Sequence, residues 1–238
     1  MEVELLAWYQ RTKRDLPWRR TCDPYAILVS EIMLQQTQVE RVVPHYLAWL
    51  DRWPTTDDLA SASVAEVIRA WQGLGYNRRA VALHSAATMI AERGWPDDLT
   101  TLPGVGPYTA AAVRNFAFGE PVLPVDVNVS RVQGRTGYSF SPESAQALMD
   151  LGATVCLSRA PRCAVCPLAA DCRSRGQRYA PVRRQSRFEG SFRQRRSELL
   201  RLVAERPRES AGLDATVVES LLKDGLVARD GSLVTLPG

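Results

Sequence analysis

Four of the chain's five cysteines, Cys156, Cys163, Cys166 and Cys172, fall within one 17-residue window, C-L-S-R-A-P-R-C-A-V-C-P-L-A-A-D-C. Their spacing is C-x6-C-x2-C-x5-C. Cysteines this dense either cross-link or share a metal. Cross-linking belongs to oxidising compartments. The N-terminal M-E-V-E-L-L-A-W-Y-Q opens with two acids and shows no basic leader followed by a long apolar core. The expectation is a bacterial cytoplasmic protein with reduced thiols, and therefore a metal or cluster site. By ligand count, four thiolates suit tetrahedral zinc or a [4Fe–4S] cluster. Cys22 lies far from the others and reads as an ordinary thiol.

No run approaches the ~18–20 apolar residues of a membrane span, so no membrane partner is expected. The net charge is +4 over 238 residues, but it is unevenly placed. Residues 173–238 hold 14 Lys/Arg against eight Asp/Glu, whereas residues 1–172 hold 16 against 18. The densest stretch, R-S-R-G-Q-R-Y-A-P-V-R-R-Q-S-R-F, interleaves arginine with aromatics, as a phosphate-binding segment or a solvated linker would. Nearly every cation is arginine, the only lysines being Lys13 and Lys223.

The segment L-P-G-V-G-P-Y-T-A-A-A-V places Gly104, Val105 and Gly106 in a tight turn just ahead of a helix. Glycine permits such turns and lets another chain come close. The first N–H groups of the helix lack intrahelical partners and are able to grip a phosphate oxygen. An ordinary helix–helix turn would look the same in isolation.

Taken together, the cysteine spacing and this turn resemble the endonuclease III and adenine glycosylase branch of the helix-hairpin-helix (HhH-GPD) DNA glycosylases. The resemblance covers roughly residues 1–175. It implies a [4Fe–4S] cluster of mainly structural role on the four cysteines, and double-stranded DNA containing a mismatched or damaged base as partner. In bifunctional members the position of Tyr108 carries a lysine that forms a Schiff base with the sugar. Here it is tyrosine, and neither lysine lies nearby. The resemblance therefore implies a monofunctional enzyme that leaves an abasic site and has little lyase activity.

Two acids carry the implied chemistry. In P-V-L-P-V-D-V-N-V-S-R-V, Asp126 reads locally as a helix N-cap. By resemblance it is catalytic, with Asn128 as polar partner, stabilising an oxocarbenium-like sugar and orienting water. In I-L-V-S-E-I-M-L-Q-Q-T, Glu31 sits among Ile27, Leu28, Val29, Ile32, Met33 and Leu34, where burial would keep it protonated. An exposed helix glutamate is the plain alternative. The segment S-E-I-M-L-Q-Q-T, with Gln35, Gln36 and Thr37, resembles the adenine glycosylase signature, whose glutamate protonates a ring nitrogen of the leaving purine. By the same resemblance, Gln36 wedges beside the flipped base, Tyr76 inserts next to its opposite, and Trp18 and Arg19 line the base pocket. Arg78 and Arg79 open the following helix and are candidates for phosphate contact.

Apolar periodicity predicts helices over 3–14, 24–37, 39–53, 56–60, 64–71, 77–93 and 108–119, with almost no strand-like alternation. The fold expected is all-α: two helical subdomains of the HhH-GPD type over 1–175, with the cluster loop at 156–172. A basic linker follows over 176–190. A small winged-helix-like module over 191–238 has helices at 192–205 and 216–223 and a hairpin turning at Asp230–Gly231, and a packing tail that covers the cluster side would read the same. His45 and His84 belong to no ligand set. Two departures from the family stand out. Only 30 positions separate Asp126 from Cys156, about one helix short, and the 66 residues after Cys172 are too few for a large domain that reads 8-oxoguanine opposite adenine.

The reading favoured is a monomeric, nucleoid-acting glycosylase that releases adenine mispaired with 8-oxoguanine or guanine. A mismatch glycosylase for uracil or thymine opposite guanine is the second. A glycosylase of the same build acting on another damaged base is the third, and a non-catalytic, cluster-bearing DNA-binding or redox-sensing protein is the last.

Overall fold

The structure is a computed structural model that describes residues 1–178, 180 and 187–238. Much of the expected 176–190 linker, including Tyr179 and residues 181–186, lies outside the described residues. The chain divides into two compact units, each drawn from two segments. One is Met1–Ile27 with Gly106–Arg184, and the other is Leu28–Val105 with Gln185–Gly238.

The first unit holds α1 (Glu2–Thr12), the opening of α2 (Pro24–Leu34), α7 (Pro107–Phe116), α8 (Val127–Thr136) and α9 (Ala145–Thr154). Its core gathers Leu5 of α1, Val129 and Val132 of α8, and Leu148 and Leu151 of α9, together with Phe140, Val155 and Leu168. Glu2 on α1 accepts hydrogen bonds from the Ser141 N–H (2.8 Å) and the Ser144 hydroxyl (2.7 Å), bonds that hold its carboxyl below the usual range. α1 ends two residues before its predicted limit because Arg14 turns its backbone N–H and its guanidinium to Asp150 of α9, at 3.1 and 2.7 Å.

The second unit holds the rest of α2, then α3 (Val39–Arg52), α4 (Thr56–Ala60), α5 (Val64–Ala70) and α6 (Arg78–Arg93). Short α4 and α5 each begin with a reciprocal capping box, Thr55 with Asp58 and Ser63 with Glu66, which satisfies N–H groups that so few turns leave open. Trp49 packs edge-on against Trp53 and Trp71, with ring centroids 4.8 and 5.5 Å away. α2 stops at Leu34, short of the predicted Thr37, because Gln36 adopts the left-handed region (φ 59°).

The C-terminal segment belongs to this second unit. It comprises α10 (Phe192–Glu205), β1 (Arg208–Glu209), α11 (Ala215–Lys223), β2 (Ala228–Asp230) and β3 (Leu233–Thr235), with antiparallel sheet order β1-β3-β2. The sequence sets 191–238 apart as a module, yet Leu199, Leu200, Val203, Val217, Leu221 and Val234 share one hydrophobic core with Ile68 of α5. Arg69 adds a hydrogen bond to the Ala204 carbonyl at 3.1 Å. In the hairpin Asp230 pairs with Leu233, so the two-residue turn is Gly231–Ser232, one place later than the sequence suggests, with Gly231 at φ 57°.

Candidate active site and cysteine cavity

The first unit positions Asp126. It caps α8: Oδ1 accepts from the Asn128 N–H (2.8 Å) and the Val129 N–H (2.7 Å), and Oδ2 accepts from Asn128 Nδ2 (2.7 Å). The N-cap reading and the Asn128 pairing are thus one arrangement. Both carboxylate oxygens are held while the group stays partly exposed. Asn128 Oδ1 in turn accepts from Arg131 at 2.6 Å, and Arg131 also donates to the carbonyls of Gly152 (2.7 Å) and Cys156 (2.8 Å). A hydrogen-bonded line therefore runs from Asp126 to the first cysteine of the loop. Gly152 makes room for it, since a Cβ there would lie 2.5 Å from Asn128 Cβ and 3.0 Å from its Cα.

One turn further along α8, buried Arg135 donates to the carbonyls of Leu157 and Ser158, both at 2.7 Å, and to Cys156 Sγ at 3.4 Å. Cys156, Cys163, Cys166 and Cys172 all line a single cavity, walled by Val132, Leu151, Val155 and Leu168. The Gly176 N–H donates to Cys163 Sγ at 3.4 Å. Burial, and then the charges of the three other cysteines, push the Cys166 thiol above its ordinary range, against a hydrogen bond from the Leu168 N–H. Among the described residues, no three His, Cys, Asp or Glu side chains form a group suited to one metal ion. Cys22 is exposed and apart from the quartet.

Arg131 and Arg135 were not legible as site residues from composition, although their spacing of four along the helix after Asp126 puts both on one face. Arg19, implied to line a base pocket, is committed elsewhere. Its two Nη atoms each lie 2.8 Å from an Asp150 carboxylate oxygen, with Asp150 1% exposed, and it also donates to the Arg14 carbonyl. Burial raises the Asp150 pKa, but the hydrogen bonds from Arg19 and Arg14 outweigh it and hold the carboxyl below its ordinary value. Trp18 beside it is buried. Tyr108 opens α7 just after Pro107, and Gly106, the N-cap, supplies no side chain to the first N–H groups.

In the second unit Glu31 is 6% exposed on the apolar face of α2. The Gln35 amide donates to the Gly104 carbonyl at 3.2 Å, tying the end of α2 to the hairpin turn. Gly104 has φ 78°, and a Cβ there would lie 3.0 Å from Ala82 of α6, so a bare backbone is required. Val105 plugs the core beneath it.

Gln36 and Tyr76 are the two non-glycine residues with positive φ among those described, at 59° and 48°, and both are exposed. Between them lies Arg79, which points inward rather than toward solvent. Its Nη1 donates to the carbonyls of Ile32 (2.9 Å) and Met33 (3.0 Å) in the last turn of α2 and of Gln35 (2.5 Å) just beyond it. Its Nη2 donates to Thr37 Oγ1 (3.0 Å), the Gly75 carbonyl (2.9 Å) and the Leu74 carbonyl (3.3 Å). The guanidinium also lies over the Trp71 and Tyr76 rings, 5.3 and 5.5 Å from their centroids. Burial pulls its pKa down to about 10, still far above neutrality. Arg79 is therefore a cationic clamp on two strained tips and is unavailable for phosphate. Arg78, by contrast, is exposed, with Asp224 3.5 Å away.

The HhH-GPD superfamily base excision DNA repair protein model matches residues 29–152. A protein named adenine DNA glycosylase from Mycobacterium tuberculosis (strain CDC 1551 / Oshkosh) is 44% identical over 286 aligned positions, covering 100% of this chain and 93% of the relative. One of the same name from Mycolicibacterium smegmatis (strain ATCC 700084 / mc(2)155) is 43% identical over 271 positions, covering 95% and 92%. An alignment longer than this 238-residue chain means that the tuberculosis protein carries segments absent here. The match nevertheless runs through the C-terminal segment. Among solved structures, one described as a thermostable thymine-DNA glycosylase superposes with TM-score 0.65 at 28% identity, over 71% of this chain and 92% of that one. The family model spans half the chain and the two relatives cover 95% or more of it: the chain belongs to the HhH-GPD superfamily of base excision DNA repair proteins.

Proposed function

We propose that the chain is a monofunctional DNA glycosylase that hydrolyses the N-glycosidic bond of adenine mispaired with 8-oxoguanine or guanine. It acts as a monomer on nucleoid DNA in the cytoplasm. The observation that carries this reading is Glu31, a carboxyl 6% exposed on an otherwise apolar face of α2. Adenine is a poor leaving group, and an acid kept out of water is suited to protonate it. In the reaction Glu31 gives its proton to a purine ring nitrogen, and the electrons of the C1′–N bond leave with the base. Asp126, fixed by three hydrogen bonds, stabilises the cationic sugar and directs water to C1′, taking up the proton that water loses. The products are adenine and an abasic site. Tyr108 offers no amine, so the sugar is not captured as an imine and the strand is not cut.

The N-terminus of α7, which follows the Gly104–Gly106 turn, would hold a DNA phosphate. Gln36 and Tyr76 would enter the duplex to keep the base extruded. Trp18 would wall the base pocket, while Arg19 would brace that wall through Asp150 rather than touch the base.

The four cysteines would hold a [4Fe–4S] cluster. All four cysteines line one cavity, which supports a shared group, and in a [4Fe–4S] cluster each iron takes one thiolate. Bound there, the cluster supplies rigidity to the 156–172 loop, which Arg131 and Arg135 tie to α8. The test pairs composition with chemistry. The purified chain should carry about four irons and absorb near 400 nm, and Glu31→Gln and Asp126→Asn should each lower single-turnover adenine release by about a hundredfold or more while still binding duplex. Full activity in Glu31→Gln would remove the acid from the mechanism. Stoichiometric zinc in place of iron would remove the cluster.

A further inference from the structure

The second unit contains a groove of about 1180 Å³, larger than the roughly 300–1,000 Å³ of small-ligand pockets. It is lined by Gln36, Tyr76 and Arg78 and, from α10, by Phe192, Arg193 and Ser197. Arg41 of α3 and Arg196 also line it. Among the described residues its one lining carboxylate, Asp224, is paired with Arg196 (2.5 Å) and lies 3.5 Å from Arg78, against five lining arginines, Arg41, Arg78, Arg79, Arg193 and Arg196. The groove is therefore strongly cationic. It is also aromatic: Tyr76, Phe188 and Phe192 are 42%, 48% and 37% exposed. Arginine alternating with exposed rings selects a nucleic-acid strand, whose phosphates and bases meet each kind of group in turn. α10 is fixed in place, because Leu199, Leu200 and Val203 share their core with Ile68.

We propose that the C-terminal segment is a working part of the DNA interface. The strand facing the extruded base runs through this groove, its phosphates against Arg41 and Arg193 and a base or sugar against Phe192. The inference rests on the reading that Gln36 and Tyr76 enter the duplex. It gives the C-terminal segment a binding task of its own.

The experiment uses the full chain as Arg193→Glu, Phe192→Ala and Arg201→Glu. The last reverses a charge on the same helix whose partner is Glu205, away from the groove. The probes are a duplex carrying a non-cleavable 2′-fluoro-deoxyadenosine opposite 8-oxoguanine and a matched duplex, each titrated between about 50 and 200 mM salt. Arg193→Glu should weaken both duplexes about tenfold or more and flatten the salt slope by about 1–2. Phe192→Ala should cost about five- to a hundredfold, and Arg201→Glu should stay within about twofold. If Arg193→Glu lowers the melting temperature, Arg193→Gln replaces it, with an expected slope change of about 1. Groove variants that bind like Arg201→Glu overturn the proposal, whatever the catalytic result. Wild-type protein that shows the salt-dependent losses but releases no adenine overturns the catalytic reading and leaves the groove standing.

Discussion

Replacing Arg79 perturbs the most heavily bonded side chain near the two exposed tips. Its guanidinium satisfies carbonyls in the last turn of α2 and just beyond it, the Thr37 hydroxyl and two carbonyls of the 74–75 turn. Those bonds hold Gln36 and Tyr76 in left-handed backbone, which costs about 1–2 kcal/mol per non-glycine residue. In Arg79→Ala the acceptors lose their donor. Helix-end carbonyls are readily hydrated, so only two or three should stay dry, at about 1–3 kcal/mol each. A net loss of about 3–5 kcal/mol follows, comparable with breaking a buried ion pair. For a chain of this size, that lowers the melting temperature by roughly 10 °C or more. Lysine keeps the charge but offers three donors from a point, so Arg79→Lys should recover less than half of the loss. Because the released tips bear the residues proposed to enter DNA, single-turnover excision near 20 °C, with both variants folded, should also fall about tenfold or more, some 1.4 kcal/mol in barrier. Guanidinium ion at non-denaturing concentration should partly restore Arg79→Ala and leave wild type unchanged. A variant that melts within about 2 °C of wild type and cuts at its rate refutes the clamp.

Two further predictions concern the first unit. Arg19→Met leaves buried Asp150 with Arg14 alone, costing about 3 kcal/mol and roughly 6–12 °C by calorimetry at pH 7. Since the Asp150 pKa is depressed in the folded state, the ion pair contributes in full above the unfolded carboxylate value near 4 and is lost as pH falls through the lower folded value. The gap between wild type and variant should therefore close below about pH 4, and a gap independent of pH would contradict this. Gly152→Ala forces a methyl against the Asn128 backbone and should push Asn128 off Asp126. Adenine release should drop about tenfold or more, with binding of matched duplex retained, and unchanged excision kinetics would show that the Asn128 contact does not position Asp126.

Much of the helical architecture is written in local pattern. α4 and α10 match the sequence reading residue for residue, since Thr55 and Ser191 signal their starts. α9 was not legible because it is buried on nearly every side, leaving no amphipathic stripe, and it contains Asp150 and Gly152, both poor helix formers. β1 is two charged residues, Arg208 and Glu209, that become strand only because β3 offers an open edge. The candidate site is named from residue identity at Glu31, Tyr108 and the four cysteines, and the structure adds that Glu31 is buried and that the cysteines share a cavity. The site was illegible where it rests on partners far apart in sequence. Arg19 looked available until Asp150, 131 positions away, took both its Nη atoms. Arg79 looked like a surface cation because nothing local shows that the end of α2 folds back over it.

The central claim, that a buried acid on α2 and a tethered aspartate on α8 release adenine without cutting the strand, is tested most directly by single-turnover reactions on four duplexes. These carry A opposite 8-oxoguanine, A opposite G, U opposite G and T opposite G, each read with and without hot alkali. Adenine released from the first two, with strand breaks only after alkali, is the predicted result. Release confined to U or T, or breaks that form without alkali, would contradict it.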